Sequence, residues 1–213
     1  KVISTYLEKI CKYIESLGGN AKYFVDNNSL PERYIASLCG IGFIGKNKML
    51  VTQRYGSFVF LGEIITDLEI EINIPKESEC GTCNICTKVC PENAILSEDF
   101  NKCLSYLTQK KQLSDCEMLK LNGRIFGCDT CQDICPCNKN IYFSELKEFK
   151  PYDFMKNIDI EDLINLDKNN FNLKYRYTSC GWRGKNILQR NAIINKYIVS
   201  RGNIGNISIN SDY

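Results

Sequence analysis

The stretch Cys80-Gly-Thr-Cys83-Asn-Ile-Cys86-Thr-Lys-Val-Cys90-Pro91 decides how this chain is organised. Its spacing, C-x2-C-x2-C-x3-C-P, is that of bacterial ferredoxin sequences, in which three thiolates hold one four-iron cluster and the fourth reaches another cluster. Two-residue gaps let a tight loop surround three corners of one cluster, and the proline turns the chain away after the fourth cysteine. The run therefore predicts a protein that holds two iron–sulfur clusters.

A second run, Cys128-Asp-Thr-Cys131-Gln-Asp-Ile-Cys135-Pro136, repeats the last three cysteines and the proline. It lacks a leading cysteine, so an upstream cysteine must complete the second set, and Cys103 is the best candidate. Exchange of ligands between the two runs then provides eight thiolates for two 4Fe-4S clusters. The predicted sets are Cys80, Cys83, Cys86 and Cys135 for one cluster, and Cys90, Cys103, Cys128 and Cys131 for the other.

Zinc sites and disulfides are the alternatives to iron–sulfur clusters for these cysteines. Two zinc sites with four cysteines each would also use C-x2-C pairs, but the C-x3-C-P closures argue against them. Disulfides are disfavoured, because the 13 cysteines are fewer than small disulfide scaffolds need and clustered cysteines in a cytosolic chain favour metal. Cys137 lies one residue past Pro136 and stays a rival ligand. The remaining cysteines are expected to be buried or incidental: Cys11, Cys39, Cys116 and Cys180.

Composition excludes several classes of protein. With 44% hydrophobic and 24% charged residues, the 213-residue chain is neither disordered, collagen-like nor a coiled coil. The formal charge of +2 means that a nucleic-acid partner has to be bound by a local basic patch. No apolar run is long enough to span a membrane and no signal peptide is evident, so a cytoplasmic protein without a membrane partner is expected. The absence of histidine excludes histidine catalysis within these residues.

Hydrophobic periodicity and turn residues predict a mixed α/β beginning and a helical end. The predicted helices cover residues 2–17, from the 29–32 stretch to about 38, 160–166 and 182–199. The predicted strands cover residues 21–25, 48–53, 57–66 and 70–74. A capping box formed by Ser29 and Glu32 is expected to open the second helix, and strands 48–53 and 57–66 are expected to pair. We expect that an N-terminal portion is missing and that the tail from Gly202 is frayed or truncated.

The stretch Gly40-Ile41-Gly42-Phe43-Ile44-Gly45-Lys46 satisfies G-x-G-x-x-G, the fingerprint of a dinucleotide-binding loop. It follows a predicted helix and precedes a predicted strand, which is the reverse of the required order. A phosphate-binding loop is therefore not predicted. Two interpretations stay open: a glycine-rich connection that permits positive φ, or a loop whose bare backbone lets a large cofactor approach.

Further motifs resemble those of the epoxyqueuosine reductase family, and they occur in the family's order. They are Val25-Asp26, Glu32-Arg33-Tyr34-Ile35-Ala36, the stretch from Gly40 to Asn47, Gly56-Ser57-Phe58-Val59-Phe60-Leu61-Gly62-Glu63, Cys103-Leu104-Ser105-Tyr106-Leu107-Thr108-Gln109, Phe126-Gly127-Cys128, Trp182-Arg183-Gly184 and Gln189-Arg190-Asn191-Ala192-Ile193. With both cysteine runs, the resemblance covers nearly the whole chain. It implies an α+β protein in three parts. These are part of a cobalamin-binding, nitroreductase-like α/β domain at 1–76, a ferredoxin-like double-cluster domain at 77–140, and a linker with the start of a HEAT-like α-helical repeat domain at 141–213.

The resemblance also implies a reaction, the reduction of epoxyqueuosine to queuosine at the wobble position of tRNA. Electrons from an external low-potential donor would pass through the two clusters to cobalamin, which carries the difficult chemistry. Asp26, expected where a strand ends at the ligand-binding edge of an α/β sheet, matches the family's proton donor. The positions that match cobalamin contacts are Leu50, Ser57, Leu61, Ser105, Gln109 and Asp129. Basic residues suited to tRNA phosphates are Lys110, Lys111, Arg183, Lys185 and Arg190.

Two other functions are weighed against this one. One is a two-cluster ferredoxin that only carries electrons, although such a carrier has no need of Asp26 or the 40–47 stretch. The other is a corrinoid-dependent reductase of a small molecule, similar to a dehalogenase, and the basic helical tail favours tRNA over it. The family is longer than this chain at both ends, and Asn27 and Cys137 stand where it usually has threonine and an aromatic residue. A monomer is expected.

Overall fold

The computed structural model describes residues 1–26 and 28–200 and the backbone of 208–209. The described residues are mainly helical and contain few strands. They divide into two compact units: the first comprises Lys1–Asn84 with Ile134–Ser144, and the second comprises Ile85–Asp133 with the described residues from Glu145 onward. Each cysteine run is therefore shared between the two units. Most of the tail from Gly202, including its predicted fraying, lies outside the described residues.

The first unit is built from two antiparallel strand pairs, each covered by a helix. Its elements are α1 (Val2–Ser16), β1 (Ala21–Phe24), α2 (Glu32–Leu38), β2 (Gly42–Ile44), β3 (Leu50–Thr52) and β4 (Glu63–Thr66). Strand β1 pairs with β4, and β2 pairs with β3. Helix α1 packs on the first pair and α2 on the second. Cys11 and Ile14 are the buried residues of α1, as its amphipathic spacing predicts.

The predicted positions of α1, β1 and α2 are confirmed, but the predicted pairing of 48–53 with 57–66 is wrong. The turn at Arg54-Tyr55-Gly56 closes on itself, since Thr52 Oγ1 donates to Gly56 O at 3.0 Å and accepts from Tyr55 N–H at 3.1 Å. Beyond this short bridge the two segments separate and pair with strands that lie earlier in the chain. Residues 70–74 form no strand.

The predicted capping box at Ser29 is also wrong. The residue before α2 is Pro31, and no side chain there bonds the first turn of the helix. Asn28 makes the side-chain hydrogen bonds near the start of α2 instead. Its Oδ1 accepts from Leu30 N–H at 2.6 Å, and its Nδ2 donates to Glu32 Oε1 at 2.9 Å. A true capping box occurs later, where Ser114 opens α5 (Asp115–Lys120).

The glycine-rich stretch forms strand β2 rather than a loop. A Cβ at Gly42 would lie 2.2 Å from Val51 O, so only glycine allows β2 and β3 to approach this closely. Gly40, before the strand, has a φ of 70°. These observations favour the structural interpretation of the G-x-G-x-x-G pattern.

The second unit is mostly helical. Its elements are α3 (Ile85–Val89), α4 (Leu104–Gln109), α5, β5 (Arg124–Phe126), α6 (Thr130–Asp133), α7 (Asp153–Lys156), α8 (Ile160–Ile164), α9 (Lys168–Asn170), α10 (Lys185–Ser200) and β6 (Ser208–Ile209). Strand β6 runs parallel to β5. Helix α10 packs on α8 and β5 around a core that includes Leu163 and Leu188. The helices predicted at 160–166 and 182–199 are confirmed. No helix in the described ranges is long and apolar enough to cross a membrane.

Two buried asparagines fix α10 against β5. Asn191 and Asn195 are both 0% exposed. Asn191 Nδ2 donates to Thr108 O and Ile125 O, each at 2.7 Å. Asn195 Oδ1 accepts from Gly123 N–H at 2.7 Å, and its Nδ2 donates to the carbonyl of Arg124 at 2.9 Å. Buried backbone groups beside β5 thus find their partners on α10.

The substitution Asn191→Ala is expected to lower the free energy of unfolding by about 2–4 kcal/mol, because it leaves buried carbonyl groups without donors. Urea unfolding at matched cluster content measures this change. Asn186→Ala, at an exposed position of the same helix, is the control and should change stability by less than about 0.5 kcal/mol. Equal losses in the two variants would contradict the role given to Asn191.

Candidate metal centre

Four cysteines taken from different parts of the sequence meet in the second unit. Burial, followed by the charges of Cys128, Cys103, Asp129 and Cys90, raises the pKa of Cys131 to about 12. Burial and the charges of Cys128 and Cys90 also raise the pKa of Cys103, although the backbone N–H groups of α4 oppose this shift. Cys131 and Cys103 therefore each lie within electrostatic reach of the other three thiols of the predicted second set.

This arrangement fits an iron cluster. Cys103 stands directly before α4, so that backbone N–H groups of Ser105 and Tyr106 bond its sulfur. Cys131 lies in α6, and Cys128 follows β5. The raised pKa values of Cys103 and Cys131 mean that these two thiols ionise reluctantly without a cation nearby, whereas bound iron stabilises the thiolate form. Backbone N–H donors around ligand sulfurs are also how proteins tune iron–sulfur clusters.

Three of the four cysteines of the other predicted set, Cys80, Cys83 and Cys135, lie in the first unit. The Cys137 thiol shares a hydrogen bond with Cys135, and burial, Cys135, Glu79 and Cys80 raise its pKa to about 11. Cys83 N–H donates to Cys80 O at 2.8 Å, which closes the turn between these two cysteines. Cys137 therefore stays a rival candidate ligand for the cluster of this set. The fourth cysteine of this set, Cys86, belongs to α3 in the second unit.

The cysteines outside these sets differ in exposure. Cys11 and Cys180 are buried, Cys39 and Cys116 are exposed, and all thirteen cysteines are free of disulfides. Across the part of the chain that the structure describes, no group of three or more cysteine and carboxylate side chains has the arrangement of a single-ion metal site.

The six candidate cobalamin contacts are divided between the units, three in each. Leu50 and Ser57 are buried in the first unit, where Leu61 is half-buried. Ser57 is held by a residue that sequence reasoning missed: Asn138 Oδ1 accepts from Ser57 N–H at 2.7 Å, and Asn138 Nδ2 donates to Ser57 Oγ at 2.9 Å. No signal in the sequence marks this amide as its partner.

The other three candidates lie in the second unit. Ser105 and Gln109 are half-buried on α4, and Gln109 Nε2 donates to Ser105 O at 2.8 Å. Asp129 is buried and accepts a hydrogen bond from Gln132 Nε2. Ser105 and Gln109 thus form a polar pair on one helical turn, while Asp129 is held by its own neighbour.

Asp26 is exposed and lies two residues past Phe24, the last residue of β1. Its φ of 48° is in the left-handed region, which costs a non-glycine residue about 1–2 kcal/mol. Its backbone carbonyl accepts from Asn28 Nδ2 at 3.2 Å. The expectation of an α/β sheet edge is corrected, because β1 pairs antiparallel with β4. Backbone strain of this kind is common at functional sites.

The predicted tRNA-contacting residues already have partners inside the protein in several cases. Arg190 donates to the carbonyls of Lys110 and Lys111, each at 2.8 Å, and burial lowers the pKa of this arginine. The Lys110 ammonium forms an ion pair with Glu117 at 2.6 Å. Hydrogen bonds from Lys110 and Ser114 lower the pKa of the Glu117 carboxyl to about 2. Arg190 thus supports the segment that carries the two lysines, and Lys111 is exposed.

The remaining two basic candidates lie at the start of α10. Arg183 stacks over the ring of Trp182 at 4.3 Å from its centroid. Lys185 Nζ donates to Gln189 Oε1 at 3.0 Å. The indole of Trp182 is 65% exposed, so an aromatic surface with an adjacent positive charge faces solvent here.

The thiol sets define a class of protein, an iron–sulfur protein with a double-cluster domain. In agreement, residues 79–138 match the family model described as "4Fe-4S double cluster binding domain". The chain belongs to the epoxyqueuosine reductase family. It is 32% identical to epoxyqueuosine reductase of Synechocystis sp., across 92% of this chain and 68% of that protein.

Other relatives and solved structures agree. Identity is 36% to epoxyqueuosine reductase of Lactococcus garvieae, over 90% of this chain and 56% of that protein. A crystal structure of epoxyqueuosine reductase with an epoxyqueuosine-modified tRNA-Tyr stem loop is 35% identical, with a TM-score of 0.85, and covers 91% of this chain and 53% of that one. The Bacillus subtilis enzyme, solved with its aspartate catalytic loop swung out of the active site, matches with a TM-score of 0.83 at 34% identity over 91% of this chain and 53% of that one. The chain thus spans only a little over half the length of the Lactococcus garvieae relative.

Cys131→Ala is expected to reduce the iron content from about eight to about four atoms per chain, because it removes one ligand of a single cluster. Iron and acid-labile sulfide are measured after anaerobic reconstitution. Cys116→Ala, which removes an exposed thiol outside both sets, should leave both values unchanged. Full iron content in the Cys131 variant would exclude it as a required ligand.

Proposed function

We propose that the protein acts in the reduction of epoxyqueuosine to queuosine at the wobble position of tRNA, as an oxidoreductase of its family. The observation that carries the proposal is the thiol set Cys90, Cys103, Cys128 and Cys131. It joins one cysteine of the first run to two of the second, as exchanged ligation between two clusters requires. Further support comes from the relative crystallised with an epoxyqueuosine-modified tRNA stem loop.

In this proposal the two cysteine sets hold two 4Fe-4S clusters. Cys90, Cys103, Cys128 and Cys131 hold one of them, and Cys80, Cys83, Cys86 and Cys135 hold the other. Each cluster takes up one electron at a time, so a pair of clusters suits a reaction that consumes two electrons. An external low-potential donor supplies these electrons. The double-cluster domain occupies residues 77–140.

Cobalamin, when bound, supplies a reduced cobalt centre for removal of the epoxide oxygen. Of the candidate contacts, Leu61, Ser105 and Gln109 are half-buried, so a ligand could reach their side chains. The Gln109 amide, already oriented by Ser105, is suited to a polar group of the cofactor. Leu50, Ser57 and Asp129 are buried and would support the residues in contact. Residues 1–76 are the corresponding part of a nitroreductase-like domain.

Loss of the epoxide oxygen as water consumes two electrons and two protons, so the reaction needs an acid. We assign this role to Asp26, because its carboxyl is exposed. The carboxyl of Asp129, by contrast, is buried and accepts a hydrogen bond from Gln132. The left-handed backbone at Asp26 is consistent with a loop shaped for function rather than for stability. Asp26 would donate a proton to the oxygen as the carbon–oxygen bond breaks.

Binding of tRNA is assigned to the second unit. Lys111 is exposed, and Arg190 holds the backbone of the segment that carries it. The basic start of α10, with Arg183 and Lys185, offers further phosphate contacts, and residues 141–213 would open a HEAT-like repeat domain. A cytoplasmic monomer is the state in which we expect the protein to meet tRNA.

Asp26→Asn is expected to reduce conversion of epoxyqueuosine to queuosine by about 10²–10⁴-fold, because the amide cannot donate a proton to the departing oxygen. The assay uses protein reconstituted with iron, sulfide and cobalamin under a reductant, and mass spectrometry of the tRNA nucleosides measures the conversion. Cluster and cobalamin spectra should be unchanged. Glu69→Gln, at an exposed carboxylate of the same unit, is the control.

Two results would contradict this assignment. Undiminished conversion by the Asp26 variant would remove that residue as the acid. No conversion by wild-type protein that holds both clusters and cobalamin and accepts electrons would refute the tRNA substrate, and it would leave a small-molecule corrinoid reductase as the better proposal.

A further inference from the structure

The glycine-rich stretch ends in Lys46, and its ammonium group lies against the first cysteine run. Lys46 Nζ donates to Gly81 O at 2.9 Å, to Cys83 O at 2.7 Å and to Asn84 Oδ1 at 2.8 Å. All of these residues belong to the first unit. An ammonium group has three N–H donors, so these acceptors satisfy it completely.

Lys46 is presented by a well-fixed hairpin. It lies two residues past the end of β2, in the turn to β3. In this turn Gly45 N–H donates to Met49 O at 2.9 Å, and Lys48 N–H donates to Gly45 O at 2.8 Å. The paired strand β3 is buried along its whole length. Because the close approach at Gly42 sets the hairpin geometry, the glycine-rich pattern also sets the position from which Lys46 reaches the cysteine turn.

The turn that receives these bonds lies near the surface of the first unit. Residues 71–79, which lead into it, are exposed. Gly81 has a φ of 43°, and a Cβ built there would meet no atom within 4 Å. The bond from Cys83 N–H to Cys80 O closes the turn internally. Lys46 thus ties an open turn, which carries two predicted ligands, to a rigid hairpin.

The bonds also bring a positive charge to the turn. All three acceptors are neutral, so none of these contacts cancels the charge of the ammonium group. A 4Fe-4S cluster with four thiolates is negatively charged, and reduction adds a further negative charge. A cation beside the ligand loop therefore stabilises the reduced form more than the oxidised form.

We propose that Lys46 is a positioning residue for the cluster predicted at Cys80 and Cys83, and that it both holds the ligand turn in shape and raises the reduction potential of this cluster. The inference rests on the proposed two-cluster function and adds a specific determinant of one cluster. The second cluster, whose cysteines lie in the other unit, serves as an internal reference.

The test uses the reconstituted full chain with both clusters in place. Lys46→Met should release iron from one cluster to a chelator about tenfold faster, since bonds from a charged donor are lost. It should also lower the midpoint potential of that cluster alone in a titration followed by electron paramagnetic resonance. Lys46→Arg keeps the charge and should return the potential toward that of wild type. Lys76→Met removes an exposed lysine four residues before Cys80 and is the matched control.

Identical potentials and iron-release rates in Lys46→Met and Lys76→Met would overturn the inference. If Lys46→Met does not fold, Lys46→Gln and Lys46→Arg are compared instead. A lower potential in the glutamine variant then supports the role of the charge, and equal potentials refute it. Wild-type protein that takes up no cluster would refute the proposed function and this inference together, whereas normal clusters that are insensitive to Lys46 would refute the inference alone.

Discussion

The gathering of four cysteine thiols in a partly buried space, where a cluster can bind them only as thiolates, is the constraint on which the second unit depends. Burial, and then the charges of Cys128, Cys103, Asp129 and Cys90, raise the pKa of Cys131. Burial also strengthens the repulsion between these charges, because a low dielectric weakens the screening of like charges. Iron resolves it by supplying the compensating charge, so folding of this region and cluster assembly are energetically linked. The backbone amides at Cys103 add to this compensation.

Hydrogen bonds join the segments around this group of thiols. Asn191 and Asn195 bond the carbonyls of β5 and its neighbours, and Gly127, directly before Cys128, donates its N–H to Thr108 Oγ1 at 3.0 Å. Buried hydrogen bonds, and not the metal alone, thus fix the positions of the segments that carry the ligands. A preformed frame of this kind reduces the reorganisation that electron transfer requires.

How much the sequence predicts depends on whether the information is local. The cysteine runs encode ligand spacing within a few residues, and the helix at Val2–Ser16 follows from its own periodicity. The pairing of strands is not local. Residues 48–53 and 57–66 have strand-like composition, yet each pairs with an earlier partner because the turn at Gly56 closes on itself. Neither composition nor spacing contains that choice.

The same distinction separates the parts of the site. The gathering of Cys103 with the second run follows from counting ligands, but the partner of Ser57, Asn138, lies 81 positions away and has no marker in the sequence. The G-x-G-x-x-G-K pattern shows how a motif can mislead about function and still be informative. Its glycines allow a tight hairpin, and the lysine that follows bonds the turn that carries Cys83. The role of this short motif thus depends on backbone groups that are distant in the sequence.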